Sequence, residues 1–381
     1  MKKIGIISYF NYYNYGSMLQ GYALQKCITT MSVDVDIEII NYRNLSLGKA
    51  SKWGFLRMRL SRLFYYLSHM KEVRAKAKYG GKMTQRYPKF DSFLKEYTHT
   101  TDTFFRTKKQ LMDNPPIYDI YVTGSDQTWS PKASGGYAAT PMFLDFAIEG
   151  AKKVAYAPSL GVNSFTKEQE SFIKDKLNNY SLISCREIKG AALLSKVTER
   201  EVPFVVDPTL LLTKDQWQEV MAIPNVKRPY IFCYFLGNRQ YYRDFAIQLS
   251  KQVRLPIYYI PVSWMDYKDD ENHIWNAGPL EFVGLINDAE YVCTDSFHGV
   301  VFSSNLNKNF YAFVKHSGAA NAGDNSRLFD YLERIGLENR LLTEYDGKEI
   351  YVEAIDYSSV NERIAKEREK SYKYIDRIIQ L

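Results

Sequence analysis

Cysteine is scarce: Cys27, Cys185, Cys233 and Cys293 are the only four in 381 residues, and no two form a C-x-x-C pair. That spacing suggests neither a structural zinc site nor a disulfide framework, and the four read as small buried hydrophobes. No run of eighteen apolar residues appears, so no membrane-spanning helix is expected. Lys2-Lys3 passes straight into a short strand pattern, Ile4 to Ser8, with no cleavage-type segment, and a cytoplasmic location is expected. A G-x-G-x-x-G fingerprint is also missing, so a dinucleotide cofactor is not indicated.

What is present bounds the answer further. With 45% hydrophobic and 24% charged residues the chain can bury a large core, expected as two domains. The net charge of +7 is concentrated: residues 52–82 hold nine Lys or Arg and one Glu, a net of +8, so the remainder sums to −1. Within that segment Trp53, Leu56, Leu60, Leu63, Leu67 and Met70 recur every three or four residues between basic side chains. This pattern predicts a basic amphipathic helix. It can lie in an anionic membrane interface, or pack on its own domain with a solvated basic face. No nucleic-acid reader fold accompanies it, and no nucleic-acid partner is expected.

In chain order, Lys3 to Ser8, Ser17 to Met31 and Val35 to Asn41 read as strand, helix and strand, the opening of a doubly wound fold. Ligands gather at the carboxyl ends of such strands, where Asn11-Tyr-Tyr-Asn-Tyr-Gly16 falls. Further strands are expected at Tyr118–Thr123, Lys153–Tyr156, Leu182–Glu187 and Pro203–Asp207. Thr166 with Gln169 and Thr213 with Gln216 match capping boxes. A second series, at Tyr230–Leu236, Leu255–Pro261, Tyr291–Thr294 and Phe310–Val314, implies a second α/β domain. The expected division is 1–210 and 211–381, with a charged helix from Asn361 to Leu381 that can cross back. Lys315 to Ser326 is too polar and Gly-rich to read as regular structure, and is either a lid or a long connection.

The chain is organised around Glu290 to Asn305, an apolar strand breaking at Asp295-Ser-Phe-His-Gly299 into a helical pattern. Asp295 or Ser296 can cap that helix, whose free N–H groups favour a phosphate or carboxylate. His298 falls in its first turn. Two readings stand: a packed histidine satisfied by nearby carbonyls, or a proton donor to an anion held at the helix start.

Seven stretches in one order carry a resemblance to the polysaccharide pyruvyl transferases over nearly the whole chain. They are Asn14-Tyr-Gly-Ser-Met-Leu-Gln-Gly-Tyr-Ala-Leu-Gln25, Tyr118-Asp-Ile-Tyr-Val-Thr-Gly-Ser-Asp-Gln-Thr-Trp129 and Tyr156-Ala-Pro-Ser-Leu-Gly161, then Ile183-Ser-Cys-Arg-Glu187, Val206-Asp-Pro-Thr-Leu210, Asp295-Ser-Phe-His-Gly299 and Asn325-Ser-Arg327. The resemblance implies two Rossmann-like domains facing across a GT-B-like cleft. It also implies a metal-independent, cofactor-free reaction in which phosphoenolpyruvate places a pyruvate ketal on a sugar of a bacterial surface polysaccharide.

On this resemblance His298 is the general acid, and Arg186 is an anion clamp for phosphoenolpyruvate. Family members that read Asp-Arg-Leu-His-Gly have an arginine where this chain has Ser296, and Lys315 or Arg327 is then expected to supply the missing charge. Asn14, Ser125, Asp126 and Gln127, at strand ends of the first domain, are assigned to the acceptor sugar. Acceptors in such pathways are often lipid-linked at the inner membrane face, which gives residues 52–82 a reason. Two rivals remain: a GT-B-like glycosyltransferase using a nucleotide sugar, and a non-catalytic glycan-binding member of the pathway.

Overall fold

The computed structural model describes residues 1–44, 69–131, 140–315 and 322–381. Strand β1 (Lys2–Ile7), helix α1 (Tyr15–Met31) and β2 (Val35–Ile39) form the opening unit, with Ile4 opposite Ile37 in parallel register. Asn14 caps α1 by accepting the Ser17 N–H at 3.1 Å. Of the basic segment, residues 52–68 lie outside the described residues. Its remainder begins α2 (Met70–Met83), a helix with no buried residue. α2 rests on the second domain, with Tyr79 stacked on Trp275 at 5.9 Å and Lys82 paired with Asp269. Then come α3 (Tyr87–Tyr97) and α4 (Lys108–Asp113).

Strands β3 (Ile120–Thr123) and β4 (Lys152–Ala155), helix α5 (Lys167–Leu177), β5 (Tyr180–Leu182) and α6 (Ile188–Thr198) complete the first sheet. Its order is β2-β1-β3-β4-β5, parallel throughout. Two expected strands are corrected here. The ladder stops at Leu182, and Pro203–Asp207 meets it only through a bridge between Phe204 and Cys185. Just past β4, the Ala157 N–H goes to the Oγ of Ser184, beyond β5, rather than to a strand carbonyl, so pairing cannot continue.

After a single turn at Pro208–Leu210, α7 (Lys214–Val220) opens on the Thr213–Gln216 capping box; Thr166 and Gln169 form the other, at α5. The second sheet takes β6 (Ile231–Tyr234), α8 (Gln240–Val253), β7 (Ile257–Tyr259), α9 (Pro279–Asp288) and β8 (Tyr291–Thr294). It ends with α10 (Phe297–Asn305), β9 (Asn309–Phe313), α11 (Ala322–Ile335) and β10 (Leu341–Leu342). Its order is β10-β9-β8-β6-β7, again parallel. Residues 322–326, expected to be irregular, are the first turns of α11. The buried stripe of Leu328, Tyr331, Leu332 and Ile335 anchors that helix, and propagation backward costs little once it exists.

One apolar core joins the two domains, running from Ile4 and Ile6 of the first sheet to Phe232 and Val292 of the second. Helices α1, α7, α9 and α10 fill it with aromatic contacts: Tyr15 stacks on Phe282 at 4.8 Å, and Trp217 meets Phe302 edge-on at 4.9 Å. Helix α12 (Tyr357–Ile379) returns to the first domain. There Tyr374 donates to the Ala155 carbonyl, Ser371 Oγ accepts the Val206 N–H, and Lys2 donates to the Ile379 carbonyl. The four cysteines are buried and unpaired. Among the described residues no helix is long and apolar enough to cross a membrane.

Candidate active site

The turn from β8 into α10 is fixed by a division of labour among its polar side chains. Asp295 accepts the N–H groups of Leu236 and Gly237, each at 2.7 Å, and so holds the loop after β6. Ser296 is the cap, its side chain accepting from the Gly299 N–H. A Cβ on Gly299 would lie 2.5 Å from Thr294 Oγ1, so only glycine lets α10 start this close to its strand. His298 therefore projects from the first turn of α10 toward the first domain. Its ring lies against Gly16 of α1, where a Cβ would stand 2.0 Å from Nδ1 and 2.3 Å from Cγ.

The first domain meets that imidazole with a buried carboxylate. His298 Nε2 is 3.5 Å from Asp207 Oδ2, an ion-pair separation longer than a hydrogen bond. The same oxygen accepts Arg186 Nη1 at 2.6 Å, while Oδ1 accepts the Thr209 N–H at 3.0 Å and its hydroxyl at 2.7 Å. Arg186 also stands 4.0 Å from Asp126 Oδ1 and lies over the Phe297 ring at 4.8 Å. Arg327 of α11 lies 5.8 Å from the same ring, so Phe297 has a guanidinium near it from each domain.

His298, Arg186, Asp126 and Arg327 are thus brought together, with Ser296 in the same turn. Asp126 holds a left-handed φ of 77° at the end of β3, and its Oδ2 accepts the Ser17 hydroxyl at 2.6 Å. Strain of that kind in a non-glycine residue is commonest at functional sites. Ser125 is fully buried, Gln127 is half-buried and Asn14 is exposed at the start of α1. Lys315 lies just beyond β9, and its charge acts on Asp295. Sequence reasoning missed Asp207. The Val206-Asp-Pro-Thr-Leu210 stretch carried it, but nothing local to that stretch shows that a histidine 91 positions later faces it.

The electrostatics follow from burial and neighbours. Burial alone would push the Asp207 carboxyl up, but His298 and Arg186 outweigh it and hold the group far below the usual carboxylate range. Asp126 is balanced likewise: burial raises it, and Arg186, His298, the Ser17 hydroxyl and Arg327 together pull it down. Asp295 goes the other way, because burial prevails over Lys315 and the two backbone donors. Among the described residues, Nε and Nη2 of Arg186, Nε2 of His298 and Oγ of Ser125 are buried here without a hydrogen bond.

The sequence model of one family, described as polysaccharide pyruvyl transferase, matches residues 14–317. The chain belongs to the polysaccharide pyruvyl transferase family. It is therefore a transferase of polysaccharide biosynthesis, and a glycan is its acceptor. No curated protein matches it. Among solved structures it is similar to a Listeria monocytogenes protein provisionally assigned as a UDP-N-acetylglucosamine 2-epimerase, with TM-score 0.51 and 8% identity over 98% of this chain and 90% of that one. A UDP-GlcNAc 2-epimerase from Methanocaldococcus jannaschii gives 0.44 and 12% over 99% of each chain. The glycosyltransferase SnogD from Streptomyces nogalater gives 0.43 and 10% over 100% and 99%. At such identities the Listeria likeness speaks for fold alone: two Rossmann-like domains in a GT-B-like arrangement.

Proposed function

We propose that this pyruvyl transferase takes phosphoenolpyruvate as donor and closes a cyclic pyruvate ketal across two hydroxyls of a glycan, without a metal. The unpartnered Nε and Nη2 of Arg186 carry this reading. Buried donors are nearly always satisfied, and a free guanidinium edge is matched by a phosphate or carboxylate, both of which phosphoenolpyruvate offers. In the reaction, the His298 imidazolium gives its proton to the methylene carbon, leaving C2 electrophilic. One sugar hydroxyl bonds to C2 and loses its proton, the C2–O bond to phosphate breaks, and the second hydroxyl closes the ring with loss of its own. Of the two hydroxyl protons, one restores His298 and one leaves with hydrogenphosphate.

Arg186 and Arg327 hold the donor anion, with Lys315 and the Ser296 hydroxyl beside them. Asn14, Ser125, Asp126 and Gln127 face the acceptor. The glycan is part of a bacterial surface polysaccharide, such as a capsule, and is presented on a lipid carrier. Residues 52–82 then bring the cytoplasmic enzyme to the inner membrane face. Co-sedimentation should favour anionic over neutral vesicles and weaken with salt. Equal binding to both would remove that contact.

The deciding experiment measures phosphate release from phosphoenolpyruvate with galactose-, mannose- and glucose-containing acceptors. Acceptor-dependent release should fall by about 10² to 10⁴-fold in His298→Ala, the span of a general acid, with folding intact. Unchanged release in the variant would take His298 out of the reaction. A nucleotide-sugar donor is the second reading, favoured by Ser296, which is a buried helix cap where the family's arginine would stand. Thermal shift separates the two, since only the true donor stabilises the folded protein by mass action.

A further inference from the structure

We propose that Asp207 is a positioning residue: a first-domain carboxylate that fixes the orientation of His298, an acid carried by the second domain. The inference rests on the pyruvyl-transfer reading and assigns a role that the site residues above leave open. Asp207 is 2% exposed and is held from two sides, by the backbone and hydroxyl of Thr209 on Oδ1 and by Arg186 on Oδ2. A carboxylate so restrained is a fixed reference against which a ring can be aimed.

The distance between the two domains' groups is also set by specific bonds. Asn305, seven residues along α10 from His298, donates to the carbonyls of Thr209 at 3.3 Å and Leu212 at 2.9 Å. Its Oδ1 accepts Arg368 of α12 at 2.9 Å. The segment bearing Asp207 is thus bolted to the helix bearing His298, and Gly16 of α1 closes the ring's other side.

Among the described residues, Asp207 and Asp126 are the carboxylates that act on the imidazole, Arg186 and Arg327 are cations beside them, and α1 offers uncharged Gly16 and Ser17. Of the two acids, Asp126 spends one oxygen on the Ser17 hydroxyl and one on the Gln127 N–H. Asp207 makes the direct contact.

The test compares kcat and KM for acceptor-dependent phosphate release in wild type, Asp207→Asn and Asp207→Glu. Asp207→Asn keeps the shape but removes the charge, and Asp207→Glu keeps the charge but moves it by a methylene; in each, kcat should fall by about tenfold or more while KM stays within about threefold of wild type. Undiminished kcat in Asp207→Asn, or an effect confined to KM, overturns the proposal. Should Asp207→Asn not fold, Asp207→Glu decides alone, and undiminished kcat in it overturns the proposal. Wild type that releases no phosphate with any acceptor would instead sink the pyruvyl-transfer reading, a separate failure.

Discussion

Gly16→Ala should give an enzyme that folds but barely turns over. The added methyl would lie 2.0 Å from His298 Nδ1, 2.3 Å from Cγ and 2.6 Å from Cε1. Ordinary contact begins near 3.5 Å, so the imidazole and helix α1 must separate by roughly 1.5 Å. A displacement of about 1 Å at a reacting group commonly costs 10²-fold in rate, and complete loss of the acid costs about 10² to 10⁴-fold. Stability moves far less. Overpacking costs about 1–3 kcal/mol, and replacing glycine by alanine in a helix returns up to about 1 kcal/mol. The melting temperature should therefore shift by no more than about 5 °C. The assay pairs acceptor-dependent phosphate release with thermal unfolding, using Gly21→Ala on the same helix as control, because its methyl would meet Phe10 of the preceding loop instead of His298. Turnover of Gly16→Ala within threefold of wild type, beside a normal melting temperature, would refute the claim that the ring must lie against α1.

Arg186→Met should abolish donor use and also destabilise the protein, by about 1–3 kcal/mol, because Asp207 would lose its charge-assisted hydrogen bond; urea unfolding measures it, and unchanged stability would mean His298 and Thr209 suffice to hold Asp207. Asn305→Ala should cost about 1–3 kcal/mol by stranding the Leu212 carbonyl, Thr209 keeping the Trp217 indole N–H, and should lower kcat as well; a drop in stability with kcat preserved would separate Asn305 from the site. Acid should unfold the protein from the site outward. Asp126 and Asp207 sit below their unfolded value of about 3.9, so their stabilisation is present above pH ~4 and is lost as pH falls toward their folded values. Asp295 and Asp266, both raised by burial, act with the opposite sign: they weaken the fold as pH rises through their folded values. The urea midpoint should therefore fall steeply only below pH ~4, and a midpoint flat down to pH 3 would contradict the pairing.

Much of this architecture was legible in the sequence because its signals are local. Both capping boxes form where Thr and Gln are three apart, and β8 runs over Tyr291–Thr294, the expected residues. Pro279 opens α9, and Gly336 follows α11 at φ 75°. What was not legible depends on tertiary neighbours. Pro203–Asp207 has strand composition, yet its place beside the sheet is taken up in a bridge to Cys185 and in the turn that presents Asp207. The start of α11 was hidden because its polar, Gly-rich composition says nothing of the apolar stripe that anchors it further on. His298 could be singled out by its strand-to-helix turn. Its partner could not, because the pair exists only once two domains have packed.

Helix α12 has a consequence for how the protein comes off the ribosome. Residues 357–379 supply the hydroxyl on the Ala155 carbonyl of β4, the acceptor for the Val206 N–H, and the carbonyl bound by Lys2 beside β1. The first sheet can collapse as soon as β5 has emerged, but these three places stay open until about 190 further residues have been made. Domain-by-domain maturation is therefore interrupted: the first of the two domains to be synthesised is the later one to be finished. In the interval its α12-facing surface is apolar and uncovered, which makes the half-made first domain the natural client for a chaperone.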